Sequence, residues 1–297
     1  METYEKHARE AGRALNRVFA RIIPLIRPGE SYDHILREAE ARIKEEGVRE
    51  AFPPQLSMND VAAHDTRRVD ETRVLPEEGV VKLDMGIHVE GVIADAARSI
   101  AFGREAERLV RAVRAAYTAG REALMQDESI GSIGSRVETT LREAGFQPVK
   151  NLSGHGLGVY RIHTDPQIPN VHVQSQQKPA WHTAFEPFGS MGSGIVKEEG
   201  SANVFQTAWP LRTRDPIIRR AMPFFEERRG LPFSRVALYE KMGASRGAYI
   251  LKRLEQEGLL IAYPPLIDTA GGWVAQWEDT FIRTTHGWEC LTDDEDE

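Results

Sequence analysis

Residues 30–47 and 128–145 align without a gap at a constant offset of 98, and six of the 18 positions are identical: Glu30/Glu128, Ser31/Ser129, Ile35/Ile133, Glu40/Glu138, Glu45/Glu143 and Gly47/Gly145. Each segment opens on a serine suited to cap a helix and closes on a glycine suited to stop one. Amphipathic helices share composition, so the identities point to an internal duplication without proving it. Each segment is also the second helix of a pair. Residues 3–27 read as a helix ended by Pro28-Gly29, before a second from Ser31 to about Glu46; residues 104–126 read as a helix before 131–144. A β-rich stretch follows each pair. The first is 80–102, with a turn near Val89–Gly91. The second starts near Thr183, is interrupted, and resumes at 273–284. The expected class is α+β, with two similar halves.

The interruption, 202–268, reads as an inserted subdomain with helices over 215–229, 234–242 and 246–257, followed by LLIAYPPL. This divides the chain into 1–201, 202–268 and 269–297. Residues 211–256 carry 11 basic and 5 acidic residues. The helices and the apolar run resemble a winged-helix outline, whose basic face is either a solvated surface or a contact for ribosomal RNA. The DDEDE tail at 293–297 is expected to be solvated and disordered.

Composition excludes several classes. One cysteine, Cys290, rules out an intrachain disulfide framework and a cysteine-based zinc finger. The charged N-terminus has no apolar signal region, and no apolar run is long enough to span a bilayer. The net charge of -7 argues against a dedicated nucleic-acid binder. A reducing, cytoplasmic setting is the expectation.

Asp84 and Asp95 sit in apolar surroundings on the two arms of the first hairpin. With a turn centred at 89–90 they face each other across neighbouring strands, where like charges are destabilising. Two such carboxylates need a shared proton or a cation, unless they lie on the solvent face of an amphipathic hairpin. Glu186 in AFEPF and Glu278 in VAQWEDT are further carboxylates embedded in apolar or aromatic strands, and His155 in NLSGHGLG is left accessible by glycines. Singly, Glu186 and Glu278 read as edge-strand residues. Together, the four carboxylates and one histidine suit two divalent cations, and an oxygen-rich shell favours Mn, Fe or Co over a structural zinc site. His64 in NDVAAHDT and His163 in YRIHTD are either core histidines or parts of the same site. The remaining histidines sit in no comparable setting, and HExxH, P-loop, GxSxG and CxxC motifs are absent.

Seven segments in order, AAHDT (62–66), KLDMG (82–86), IADAA (93–97), NLSGHG (151–156), RIH (161–163), FEPFG (185–189) and AQWEDT (275–280), resemble the type 2 methionine aminopeptidases over nearly the whole chain. The helical insertion before the last segment marks type 2. The start directly at the catalytic domain resembles the archaeal forms. The resemblance implies a pita-bread fold of two pseudo-twofold halves around two divalent ions (Co, Mn, Fe or Zn), held by Asp84, Asp95, His155, Glu186 and Glu278. It implies removal of the N-terminal, initiator methionine from nascent proteins and peptides by a metal-activated hydroxide. Glu186 would be the proton carrier, His163 an oxyanion stabiliser and His64 a hydrogen-bond partner of the scissile amide or the peptide beyond it. Phe52, Ile162, Phe188 and Tyr263 match the methionine pocket.

The chain departs from the family pattern in four places. Gly156 follows the ligand histidine in a GHGLG string also seen in proline-specific relatives. Thr164-Asp165 replaces a Gly-containing run. Asp279 stands where histidine is common, and KPAWHTAF replaces an acidic turn. The GHGLG string makes a proline-specific pita-bread peptidase one competing reading, and the basic segment 211–256 makes a ribosome- or RNA-binding relative another.

Overall fold

The computed structural model describes residues 2–293. The repeated segments become helices Tyr32–Glu45 and Ile130–Glu143, which keep the offset of 98 at both ends. Their caps correspond as well: Ser31 Oγ accepts from His34 N–H at 3.3 Å and Ser129 Oγ from Ser132 N–H at 3.2 Å. The preceding helices are Glu2–Ile22 and Arg104–Met125. The first ends five residues before the expected boundary at 27. Pro24 has no N–H to continue the ladder, and Ile23–Leu25 tightens into a 3-10 turn.

Each helix pair covers its own part of one strongly curled, eleven-stranded sheet. Leu15, Phe19, Leu36, Leu83 and Met85 share one apolar cluster; Leu109, Val113, Leu141, Phe185 and Phe281 share a second. The first hairpin comprises Gly79–Val89 and Val92–Phe102. Its turn is Glu90-Gly91, both with positive φ (49° and 84°), as a tight two-residue hairpin turn requires. That centre lies one residue beyond 89–90, which corrects the expected facing of the two aspartates. Asp84 is opposite Ala97 and Asp95 opposite Gly86, so they are diagonal neighbours on the same face. The offset relieves some of their repulsion while keeping both carboxyls aimed at the same space.

The second half mirrors this with His182–Phe185 and Phe188–Ser190, and the long strand Val274–Thr284 joins the halves. On one side Glu278 is in register with Ala97; on the other Asp279 is in register with Phe185. Beyond lie Ser153–Gly158 and the edge strand Arg161–Pro169.

Residues 204–263 form a separate apolar cluster around Phe205, Phe224, Phe225, Phe233, Leu238 and Ile250. Its sheet is Val204–Thr207 between Phe233–Ser234 and Leu260–Tyr263. The single helix expected over 215–229 is two, Pro216–Arg220 and Met222–Arg228, because a proline, Pro223, restarts the turn. Arg235–Met242 and Ala244–Gln256 complete it. Leu266–Asp268 then pairs with Val61–Ala63 and Val196–Glu198 of the main body. Buried Arg67 ties the parts together, donating to Glu40 at 2.9 Å and Glu240 at 3.2 Å. Three basic residues of the insertion are engaged within the chain. Arg228, Arg229 and Arg235 stack on Phe224, Tyr160 and Phe205 at 3.8, 4.8 and 5.0 Å from the ring centroids. No helix among the described residues is long and apolar enough to cross a membrane. Of the acidic tail, Asp293 pairs with Arg121; Asp294 onward lies outside the described residues.

Candidate metal centre

The curled sheet encloses a cleft of about 740 Å³. Asp84, Asp95, His155, Glu186 and Glu278 line it, as do His64, His163, Phe52, Ile162, Phe188 and Tyr263, so all eleven residues singled out from the sequence meet in one place. Strand alternation explains the convergence: Asp84 and Asp95 share the inner face of the hairpin, and Glu278 projects from the same face of the joining strand. Glu186 sits at the break between His182–Phe185 and Phe188–Ser190. His155 comes from Ser153–Gly158, whose glycines let the neighbouring strands approach closely. A Cβ on Gly154 would meet Ala184 O at 2.6 Å.

The electrostatics call for a cation. Burial pushes the Asp84, Asp95 and Glu278 carboxyls well above their ordinary range, and repulsion among the four carboxyls adds to the rise. Burial raises Glu186 to about 8, opposed by the Gln276 amide. Four buried acids crowded in one cleft cannot all ionise without a compensating positive charge. His155 is lowered by burial to about 4, which keeps its imidazole neutral and able to ligate. Its Nε2 lies 3.4 Å from Glu186 Oε1. Asp95, His155 and Glu278 each offer a ligand atom within 4.8 Å of the others. One oxygen of Asp84 and one of Asp95 are buried with no hydrogen-bond partner among the described residues. Orphaned carboxylate oxygens beside a neutral imidazole fit a divalent ion.

His163 stands edge-on to His155, centroids 4.4 Å apart, and opens to the cleft. His64 has φ 66°, a left-handed backbone uncommon for histidine. Its Nδ1 lies 3.3 Å from Pro264 O, its ring stands edge-on to Tyr263 at 5.4 Å, and burial lowers its pKa to about 4. Phe52 packs so closely that a Cβ on Gly86 would come within 2.2 Å of its ring.

Two supporting residues were not singled out from the sequence. Gln276 Nε2 donates to Glu186 Oε2 at 3.0 Å and Glu278 Oε2 at 3.2 Å, holding two carboxylates at once. Its position two residues before Glu278 places it on the same strand face, a signal available in AQWEDT. Thr280 Oγ1 accepts from Asp95 N–H and donates to Asp95 O, both at 2.7 Å. The departures also find places. Asp279 points away from the cleft and accepts from Arg98 at 2.8 Å and Thr292 at 2.7 Å. Gly156 and Thr164 compensate each other, since a Cβ at 156 would meet Thr164 Oγ1 at 2.4 Å. Asp165 lies on the rim.

The sequence pattern of metallopeptidase family M24 matches residues 6–208. A methionine aminopeptidase of Archaeoglobus fulgidus is 35% identical over 92% of this chain and 93% of its own length. That of Methanocaldococcus jannaschii is 32% identical over 98% and 99%. In fold, a thermophilic Arx1 superposes with a TM-score of 0.83 at 15% identity, covering 96% of this chain and 90% of that one. The methionine aminopeptidase of Thermotoga maritima gives 0.68 at 20%, covering 98% and 96%. These likenesses fit the pita-bread arrangement of two helix-backed halves around a central acidic cleft, and with the sequence matches they settle its kinship: the chain belongs to metallopeptidase family M24, among its methionine aminopeptidases.

Proposed function

We propose that this protein hydrolyses the peptide bond after an N-terminal methionine, removing initiator methionine from nascent proteins and peptides in the cytoplasm. The observation that carries this reading is the convergence of the five ligand-type side chains, the two cleft histidines and the four apolar residues on one cleft. Asp84, Asp95, His155, Glu186 and Glu278 would hold two divalent ions, Co, Mn, Fe or Zn. Bound there, such ions supply Lewis acidity and lower the pKa of water. We treat 202–268 as an inserted unit that completes one wall of the cleft through Tyr263.

The chain's own residues do the rest. Glu186 takes a proton from the attacking water and returns it to the leaving amine, with Gln276 fixing its orientation. His163 donates to the developing oxyanion, and neutral His64 hydrogen-bonds the scissile amide. Phe52, Ile162, Phe188 and Tyr263 enclose the methionine side chain, whose thioether adapts to aromatic walls.

The test is Met release from a Met-Ala-Ser peptide by protein supplied with Co or Mn, beside an Xaa-Pro peptide. Release of Met that chelator abolishes is the expected result. Cleavage of the Xaa-Pro peptide alone would replace this reading with the proline-specific one, and full metal occupancy without Met release would overturn it. Nearly full-length relatives that are methionine aminopeptidases favour the first outcome. No observation favours a ribosome contact through the insertion.

A further inference from the structure

We infer that Gln55 is a positioning residue that locks His64 into its working orientation. The inference rests on the proposed role of His64. His64 is held at φ 66°, a strained conformation for a non-glycine residue that persists only where its surroundings impose it. His64 N–H donates to Gln55 Oε1 at 2.6 Å, nine residues away in sequence. Gln55 itself is buried, 6% exposed, on strand Gln55–Met58 in register with Asp84.

The orientation of the amide follows from its partner. A backbone N–H requires an acceptor, so Oε1 faces His64 and Nε2 is directed elsewhere. No described protein group accepts from Nε2, and Gln55 lines the cleft. Gln55 therefore stands between the strand that carries Asp84 and the loop that carries His64, with its donor end available to the cleft. The ring end of His64 has one longer polar contact, to Pro264 O at 3.3 Å, beside its edge-on packing on Tyr263. Without the Gln55 oxygen, the His64 N–H is left unpaired, and His64 is free to relax towards the common negative-φ backbone. That swings the imidazole away from Tyr263. Its neighbours stay anchored, Ala63 by pairing with Leu266 and Asp65 by its carbonyl, which accepts from Leu56 N–H at 3.0 Å, so the freedom gained is confined to His64 itself.

The experiment is a double-mutant cycle with Gln55→Met, which keeps side-chain length and burial but removes the acceptor, and His64→Ala. Met release from Met-Ala-Ser, metal content, melting temperature and amide hydrogen exchange at His64 are all measured on the metal-loaded protein. Gln55→Met is expected to lower kcat about tenfold with KM changed less than twofold. It should speed exchange of the His64 amide at least tenfold and leave metal content unchanged. In the His64→Ala background the same substitution should cost less than twofold. Equal losses in both backgrounds would overturn the inference, because Gln55 would then act independently of His64. So would an unchanged kcat or an unchanged His64 exchange rate. A His64→Ala chain as active as the parent would overturn the role of His64 and this inference with it. A Gln55→Met chain as active as the parent, beside an impaired His64→Ala, would overturn only the positioning.

Discussion

Glu186 has the geometry that the proposed proton transfer needs: its side chain faces His155 across the cleft at 3.4 Å, and one oxygen is pinned by Gln276 at 3.0 Å. A proton carrier acts only when held in a fixed direction. Glu186→Gln keeps shape and one oxygen but cannot exchange the proton. Turnover is expected to fall by a factor of about 100 or more, within the span of general acid–base contributions. Steady-state Met release beside metal analysis of the same sample checks it. Away from the cleft, His182 is fully buried, 2.7 Å from the Tyr4 hydroxyl, and burial lowers its pKa from the ordinary 6.5 to about 3. Below pH 6.5 the unfolded chain binds a proton that the folded chain refuses. Stability is therefore lost as pH falls from 6.5 towards 3, at up to about 1.4 kcal/mol per pH unit from this one group. His182→Gln should show a shallower loss between pH 6.5 and 5, read from urea unfolding at the two pH values.

At the scale of elements, the two capped helices offer a paired comparison. Ser31 and Ser129 make the same cap bond in corresponding places, and each removal by alanine is expected to cost about 1 kcal/mol. Thermal unfolding of Ser31→Ala, Ser129→Ala and the double variant should show near-additive losses, since the caps share no partner. These helices were legible in the sequence because cap, periodicity and glycine stop are all local. Helix ends at Pro24 and Pro223 were local signals too, passed over in favour of longer periodic runs. The hairpin turn was misplaced by one residue because positive φ at Glu90 is a consequence of pairing across the whole hairpin, not of Glu90 itself. The convergence of the five proposed ligands and the two cleft histidines on one cleft was legible through motif strings. The strand face of Gln276 was legible in AQWEDT, but its partner was not, nor was that of Gln55: Glu186, 90 residues away, and the backbone of His64. A glutamine in a strand carries no mark of the acceptor or donor it will meet.

For the whole molecule, the acidic centre lies where the two halves meet. Asp84 and Asp95 come from the first half, His155 and Glu186 from the second, and Glu278 from the strand hydrogen-bonded to both. In the folded chain these groups oppose one another, as the raised carboxyl pKa values record. In the unfolded chain they are far apart and do not. The centre is thus a local weakness of the bare fold, and a divalent cation held by the proposed ligands would convert it into a link between the halves. Because the ligands converge only on folding, cation binding adds to global stability. At a free cation concentration of about 100 times Kd the gain is about 2.7 kcal/mol. A melting temperature measured with Mn or Co in excess should therefore exceed that after chelation by several degrees, and the difference should grow with the logarithm of cation concentration. Asp95→Asn and Glu278→Gln each remove one ionisable carboxyl from the centre. They should behave alike: the chelated variants melt at or above the chelated parent, because repulsion is relieved, while the cation-dependent rise shrinks or disappears. A rise preserved in both variants would place the stabilising cation somewhere other than between the halves.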